Sequence, residues 1–195
     1  MKKLIGIIAI LTIIFIYGCS KQPSSIKAKQ DGKPLIVMYG DFKCPYCKKV
    51  EDKVMPKLRN KYIDKNKVKF QYVNLAFIGK DSIIGSRAQQ AVNHYAPKYS
   101  LQFQKLMFEH QKDEGKKWIT HTLIDKQIDK LNISNKTKDK IKTNYKTKNS
   151  TSWKAAEKDK KLGKEHHIKQ TPTVFIEGKK VKDPYDFSSY QKLLE

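Results

Sequence analysis

The cysteine pair near the start of the chain is the feature best suited to chemistry. Cys44 and Cys47 are separated by Pro45 and Tyr46, which makes a Cys-x-x-Cys spacing. An apolar run before the pair predicts a strand, and apolar residues at every fourth position after it predict a helix. The pair would then open a helix, where unpaired N–H groups and the helix dipole stabilise a thiolate. This arrangement predicts redox chemistry, with Cys44 as the nucleophile and Cys47 as the resolving thiol.

The residues around the pair favour the same chemistry. Pro45 suits a first helical turn because its missing N–H and fixed φ cost nothing there. Lys43, Lys48 and Lys49 add positive charge that would stabilise the thiolate of Cys44. Half of a zinc site, or a pair of buried structural thiols, is the alternative. Zinc normally takes four ligands and the chain has no second Cys-x-x-Cys, so no metal site is expected.

The third cysteine, Cys19, lies in a predicted targeting segment. A short basic head is followed by thirteen uncharged residues, 4–16, which is too short for a comfortable bilayer crossing. The next residues, Ile16-Tyr17-Gly18-Cys19-Ser20, resemble a bacterial lipobox, in which tyrosine is an unusual occupant. The resemblance predicts a lipoprotein signal peptide over 1–18 and a lipid on Cys19. An uncleaved signal anchor is the alternative, and either would tether the chain outside the cytoplasm.

Composition and charge separate several classes of function. After removal of 1–18, one cysteine pair remains besides Cys19, so disulfides are not the scaffold of this exported domain. The formal net charge is +22, with 41 lysines and arginines against 19 acidic residues. Nucleic-acid binding would explain such a charge, but only Arg59 and Arg87 are arginines and the lysines are spread along the chain. A solvated surface facing an anionic envelope fits better, and no nucleic-acid partner is expected.

The rest of the chain predicts an α/β fold interrupted by helices. Strand patterns precede and follow the cysteine helix, which Pro56 should break, and the crossover between these strands should be right-handed. Only helical patterns follow, the last one stopped by Gly163, before strands return at 173–176 and in a short partner strand that contains Val181. The predicted parts are the signal peptide 1–18, a lipidated tether with a first short strand 19–32, a first α/β part 33–80, a helical insertion 81–163 and a second α/β part 164–195.

This order of elements, with Cys-x-x-Cys at the start of the first helix, resembles the thioredoxin fold. In that fold a cis-proline before the third main strand faces the cysteine pair, and Pro172 matches that position. Thr171 matches the residue whose backbone touches the nucleophilic sulfur. A trans proline opening an edge strand is the alternative. The inserted all-helical domain narrows the resemblance, over 33–195, to DsbA-like thiol-disulfide oxidoreductases and to their lipoprotein members in Gram-positive bacteria.

The resemblance implies roles for further residues. Pro45 and Tyr46 should join the Thr171-Pro172 pair in contacting substrate or stabilising the thiolate. Tyr46 stands where better-known members have histidine, and Cys-Pro-Tyr-Cys is also the glutaredoxin motif, so the redox direction stays open. Glu51 matches an acidic position that recurs beside the pair, which makes it a candidate proton acceptor when Cys47 ionises. An exposed glutamate paired with a lysine is the alternative.

Two histidines, His166 and His167, could add positive charge near the pair. Adjacent residues on a helix do not share a face, so at most one of them could reach Cys44. The remaining histidines show no metal-ligand spacing.

These features predict an extracytoplasmic, membrane-anchored enzyme that donates disulfide bonds to reduced exported proteins. Its only redox group would be its own cysteine pair, and it would need no cofactor. A quinone-linked membrane protein or a small-molecule oxidant would reoxidise it, and we expect a monomer on the outer face of a bacterial cell membrane. Three alternatives stay open: a reductase or isomerase of the same fold, a metallochaperone using the cysteines and a histidine, and a cell-surface adhesin with an idle thiol pair.

Overall fold

A computed structural model describes residues 26–195 of the chain. The predicted signal peptide at 1–18 and the predicted lipidation of Cys19 lie outside these residues. Within 26–195, no helix combines the length and the apolar character that a membrane crossing requires.

The sheet is built around one long apolar strand. It contains β1 (Lys29–Gln30), β2 (Lys33–Gly40), β3 (Lys69–Asn74), β4 (Thr173–Ile176) and β5 (Lys179–Lys180). Strand β2 pairs in parallel with β3 and antiparallel with β4 and β1, while β5 pairs antiparallel with β4. The first short strand, predicted within 19–32, contains only Lys29 and Gln30. Asp31 and Gly32 both adopt positive φ, so the hairpin turn follows only two paired residues.

The helices lie mostly between β3 and β4. The structure contains α1 (Pro45–Lys53), α2 (Met55–Leu58) with a π-helical turn at Arg59–Ile63, α3 (Ser82–Tyr95), α4 (Ser100–Glu109), α5 (His121–Asp129), α6 (Asn135–Lys146), α7 (Thr151–Glu165) and α8 (Phe187–Leu194). The helix after the cysteines breaks at Val54, as the sequence predicts from Pro56. Proline has no backbone N–H, so it cannot donate the hydrogen bond that would continue the helix. The run α3 to α7 forms a helical insertion in the α/β fold.

Two sequence predictions about element ends are wrong. Helix α7 continues past Gly163 to Glu165. A Cβ at Gly163 would lie 2.4 Å from Cδ2 of Leu75, so this glycine allows the helix to approach β3 closely and does not end it. Strand β5 ends before Val181, although the N–H of Val181 still donates to the carbonyl of Val174 at 2.8 Å.

Both faces of β2 are covered, which explains its almost continuous run of buried residues. Ile36 and Met38 point into the main core, which also contains both cysteines and side chains from α1 and α4. Leu35, Val37 and Tyr39 point to the opposite face, where Leu162 of α7 helps to cover them. The cysteine pair therefore lies on the same side of the sheet as the main core.

One buried carboxylate ties the insertion to the sheet. Oδ2 of Asp159, on α7, accepts the backbone N–H of Asn74 at 3.3 Å and Nε2 of Gln90 at 2.7 Å. Burial, opposed by these two hydrogen bonds, raises the pKa of Asp159 to about 7.

Candidate active site

Helix α1 begins at the cysteine pair because Cys44 is its N-cap. The φ and ψ of Cys44 are −72° and 115°, outside the helical region, and its Sγ accepts the backbone N–H of Cys47 at 3.3 Å. Pro45 occupies the first helical position, and the side chains of Pro45 and Tyr46 are exposed. Both cysteines are free thiols, with Cys44 2 % exposed and Cys47 completely buried. Cys44 therefore lies at the start of the helix, and Cys47 is fully enclosed within its first turn.

The two thiols have opposite pKa shifts. The pKa of Cys44 falls to about 6, chiefly because of its hydrogen bond with Cys47, and the backbone N–H groups of Cys47 and Tyr46 lower it further against the effect of burial. The pKa of Cys47 rises, first because of its burial and then because of its contact with the Cys44 sulfur. Near neutral pH, Cys44 is therefore mostly thiolate and Cys47 is a thiol.

The lysines beside the pair do not act on the sulfur as predicted. Nζ of Lys43 is buried and pairs with Oδ1 of Asp81 at 2.9 Å. Lys48 pairs with Asp52 one helical turn later, and Nζ of Lys49 lies 4.5 Å from the ring centre of Tyr185. The pKa of Cys44 is therefore lowered by hydrogen bonds at the start of α1 and not by the lysine charges.

The loop before β4 brings Thr171 and Pro172 to the cysteine pair. The Thr171–Pro172 peptide bond is cis. In its thiol form, Cys44 donates from Sγ to the carbonyl oxygen of Thr171 at 3.4 Å, across 127 sequence positions. This contact follows from the pairing of β2 with β4, in which Tyr39 faces Thr173. The two halves of the α/β fold therefore meet at the sulfur of Cys44.

Glu51 lies four residues after Cys47 on α1, which places both on one helix face. Its side chain is 5 % exposed, and its carboxylate accepts Nη2 of Arg59 and Nε2 of Gln104, each at 2.8 Å. The alternative of an exposed, lysine-paired glutamate is wrong, because α4 covers this side chain and arginine is its partner. Burial is the main cause that raises the pKa of Glu51, and Arg59 opposes it.

The two histidines are not brought to the cysteine pair. Nδ1 of His166 is hydrogen-bonded with the hydroxyl of Tyr39, on the face of β2 opposite the main core. His167 is exposed, with a φ of 51°. In the part of the chain that the structure describes, no three His, Cys, Asp or Glu side chains converge as metal ligands do.

Asp41 is a site residue that the sequence reasoning missed. Its fully buried carboxylate accepts the N–H of Lys43 at 2.9 Å and the hydroxyl of Ser82 at 3.0 Å through one oxygen. The other oxygen accepts the N–H groups of Phe77 and Ile78 at 2.9 and 3.0 Å. Asp41 thus ties the cysteine turn to the loop after β3. An acidic residue directly after an apolar strand was the available signal.

A loop of the insertion also holds the cysteine turn. Nε2 of Gln111 donates to the carbonyl oxygens of Phe42 and Cys44 at 2.7 and 3.0 Å. Lys43 reaches the same loop through Asp81, whose second oxygen accepts two backbone N–H groups there at 2.9 Å. The insertion is therefore part of the framework of the site. No local pattern could have identified Gln111, because its role depends on contacts with residues far away in the chain.

A groove of about 380 Å³ lies next to the cysteine pair. Its lining includes Tyr46, Thr171, Pro172, Val181, Pro184 and Tyr185. Tyr46 is 60 % exposed, and Phe77, on the loop bound by Asp41, is 55 % exposed. They are the exposed large hydrophobic side chains of residues 26–195, and both lie on segments attached to the cysteine turn. Exposed aromatic side chains near a groove beside a reactive sulfur are suited to contact a polypeptide.

Known proteins share this sequence and this fold. The sequence profile of a family described as thioredoxin matches residues 26–195. Disulfide bond formation protein D of Bacillus subtilis is 32 % identical over 181 residues, which cover 90 % of this chain and 79 % of the relative. Probable disulfide bond formation protein D of Bacillus cereus is 32 % identical over 171 residues, which cover 86 % of this chain and 75 % of the relative.

Solved structures give the same result. The crystal structure of oxidised BdbD from Bacillus subtilis has a TM-score of 0.74 at 30 % identity and covers 89 % of this chain and 94 % of its own. The oxidoreductase NmDsbA1 from N. meningitidis shares the fold, with a TM-score of 0.64 at 21 % identity and coverage of 88 % and 84 %. The predicted thioredoxin fold with a helical insertion and the predicted DsbA-like relationship are confirmed. The chain belongs to the thioredoxin-like family and is a thiol-disulfide oxidoreductase related to the disulfide bond formation proteins.

Proposed function

We propose that this protein donates disulfide bonds to reduced exported proteins through Cys44 and Cys47. The opposite pKa shifts of the two thiols carry the proposal. A sulfur that is stable as a thiolate is a good leaving group, so a disulfide that contains it passes readily to another dithiol. The names of the relatives, which are disulfide bond formation proteins, support this direction.

The exchange takes place in two steps. A substrate thiolate attacks Sγ of Cys44, so that a substrate–Cys44 bond forms while the Cys44–Cys47 bond breaks and the sulfur of Cys47 takes up a proton. The second substrate thiolate then attacks the substrate sulfur of this mixed disulfide and releases Cys44 as a thiolate. The substrate loses two electrons and gains a disulfide, and the enzyme gains both electrons as a dithiol.

We assign the proton exchange with Cys47 to Glu51. The thiol of Cys47 is completely buried and its pKa is raised, so its proton needs a nearby partner when the sulfur is reoxidised. Glu51 lies one helical turn away, and its own raised pKa makes a proton on its carboxylate easier to hold. Arg59 and Gln104 keep the carboxylate in place.

We expect the residues around the sulfur of Cys44 to contact the substrate. Tyr46 and Pro45 present exposed side chains on one side of the sulfur. The backbone of Thr171 and the buried ring of Pro172 lie on the other side, with Thr171 already in contact with the sulfur. A substrate segment would cross this site between the two pairs of residues.

The cellular location is proposed from the sequence. The lipobox-like segment that ends at Cys19 supports a lipid anchor on the outer face of a bacterial cell membrane, close to newly exported chains. A quinone-linked membrane protein or a small-molecule oxidant would restore the disulfide there. Mass spectrometry of the purified protein should find a lipid on Cys19 at a new N-terminus, with residues 1–18 removed. A protein that keeps 1–18 and carries no lipid would favour an uncleaved anchor.

Stoichiometric disulfide transfer tests the direction. The oxidised protein is mixed with a reduced, unfolded protein that has two cysteines, and thiols are counted in both partners by mass spectrometry. We expect the substrate to gain one disulfide for each enzyme disulfide lost, and Cys44→Ser to abolish the transfer. A protein whose reduced form cleaves native disulfides, while its oxidised form transfers none, would instead be a reductase.

A further inference from the structure

We infer that the groove beside Cys44 selects substrate segments that have acidic residues close to the reactive cysteine. This inference rests on the proposed function and specifies the substrates of that site. Lys180 and Lys182 line the groove together with apolar and aromatic side chains. None of the residues lining the groove is acidic. The groove therefore combines apolar and aromatic side chains with two positive charges.

The two lysines are free to attract a substrate. Both side chains are exposed, and neither forms an ion pair within residues 26–195. Lys49 adds a third charge next to the groove, because its Nζ lies over the ring of Tyr185, another groove residue. A contact of this kind leaves the charge of Lys49 available to other groups.

The acidic residues nearest in sequence do not neutralise the groove. Asp183 accepts the backbone N–H of Tyr185 at 2.8 Å, and Asp186 caps α8 by accepting the N–H of Ser188 at 3.1 Å. Neither carboxylate lines the groove, but the charge of Asp183 acts on Tyr185, where it adds to burial and to the cysteines in raising the pKa. One negative charge therefore stands against the three lysines. The groove keeps a net positive charge as a result.

The position of the groove brings these charges close to the bound substrate. Thr171 lines the groove and contacts the sulfur of Cys44, so a cysteine joined to that sulfur places its neighbouring residues along the groove. Each lysine–carboxylate pair at a surface separation of roughly 7 Å should change the exchange rate about twofold at moderate salt. Acidic residues facing all three lysines, with Lys49 included, should therefore give about a tenfold preference over neutral ones.

Three peptides that differ in one feature test the inference. Each has a single cysteine with two identical flanking residues on either side. The flanking residues are all glutamate in the first peptide, all glutamine in the second and all lysine in the third. Exchange with the oxidised protein is timed at low and high salt. Each rate is divided by the rate of the same peptide with a small neutral disulfide, which corrects for the effect of the flanks on the cysteine itself. We expect the glutamate peptide to react about tenfold faster than the glutamine peptide, with the advantage shrinking at high salt.

Matched variants separate the groove from the overall charge of the protein. Lys180→Gln with Lys182→Gln should reduce the preference to about threefold or less, because only Lys49 remains at the groove. Lys136→Gln with Lys140→Gln makes the same change of charge at exposed lysines of α6, outside the groove, and should keep the full preference. Equal rates for the glutamate and glutamine peptides would overturn the inference. An equal loss of preference in both double variants would also overturn it.

A binding measurement keeps the inference distinct from the proposed function. Peptides with serine in place of cysteine compete with an exchanging peptide or bind directly, and their affinity does not depend on redox chemistry. Failure of every cysteine peptide to exchange would contradict the proposed function, while a charge preference in binding would still support a selective groove. Normal exchange with no charge preference would leave the proposed function in place and refute the selectivity.

Discussion

The low pKa of Cys44 makes the stability of the reduced protein depend on pH. Folding lowers this pKa from about 8.5 in an unfolded chain to about 6. The resulting stabilisation is complete above the unfolded pKa and is lost as the pH falls through the folded pKa. Between pH 5 and pH 8 the reduced form should gain about 2.5 kcal/mol of unfolding free energy. Screening of the thiolate charge by nearby solvent reduces the gain to about 2 kcal/mol.

The oxidised protein provides a reference without this effect, because its sulfurs do not ionise. Closing the four-residue loop stabilises it by about 2 kcal/mol in the chain-entropy model, and that contribution does not change with pH. The oxidised form should therefore be the more stable one at pH 5, and the two forms should become similar between pH 7 and pH 8. Cys47 adds little in this range because it stays protonated in both folded and unfolded chains.

Chemical denaturation of three proteins at pH 5 and pH 8 tests this prediction. The stability of the reduced wild type is compared with that of its oxidised form and with that of Cys44→Ser under the same reductant. The reduced wild type should gain about 2 kcal/mol over both references as the pH rises, which corresponds to several degrees in melting temperature. A difference that stays constant with pH would refute the argument that hydrogen bonds at the helix start hold Cys44 as a thiolate.

Three further predictions follow from buried polar contacts of the site and its framework. Gln111→Leu should lower stability by about 1–3 kcal/mol in both redox states, because the carbonyl of Phe42 loses this donor, although that of Cys44 keeps two backbone N–H donors. Gln102→Leu at an exposed position of α4 should have little effect in thermal melts. Asp159→Asn should gain about 2–3 kcal/mol of unfolding free energy relative to wild type between pH 5 and pH 8. The wild type loses stability over this range because its carboxylate ionises more readily in the unfolded chain than in the folded one. A difference in unfolding free energy between the two proteins that is the same at both pH values would contradict this. Arg59→Met should cost about 3 kcal/mol by leaving Glu51 buried without its ion-pair partner, and the double variant with Glu51→Met should recover part of that loss.

Local signals in the sequence predicted the elements that carry the cysteines. The alternation and apolar runs around β2 and β3, the proline at position 56 and the Cys-x-x-Cys at a helix start all act over a few residues. Such features show up in a single sequence because backbone sterics and side-chain periodicity cause them directly. The resemblance to the thioredoxin fold then connected the Thr171-Pro172 pair with Cys44, which periodicity alone could not do.

Tertiary contacts account for what the sequence did not predict. Gly163 looks like a helix stop because glycine is common after helices, yet the side chain of Leu75 occupies the space beside it. The sequence suggests that the charge of Lys43 stabilises the thiolate, yet Lys43 forms an ion pair with Asp81, 38 positions away. His166 lies close to Pro172 in sequence but on the other side of the sheet. In each case a partner distant in the chain determined the role of the residue.

The central claim is that exchange passes through Cys44. Trapping the mixed disulfide is the most direct test of it. Cys47→Ala and Cys44→Ala are each incubated with a disulfide-containing unfolded protein, and the adducts are mapped by mass spectrometry. Cys47→Ala should accumulate a stable mixed disulfide at Cys44, because the resolving thiol is missing and the remaining sulfur is a thiolate. Cys44→Ala should accumulate almost none, because Cys47 is completely buried and protonated. Adducts that form mainly at Cys47, or equally in the two variants, would contradict the account.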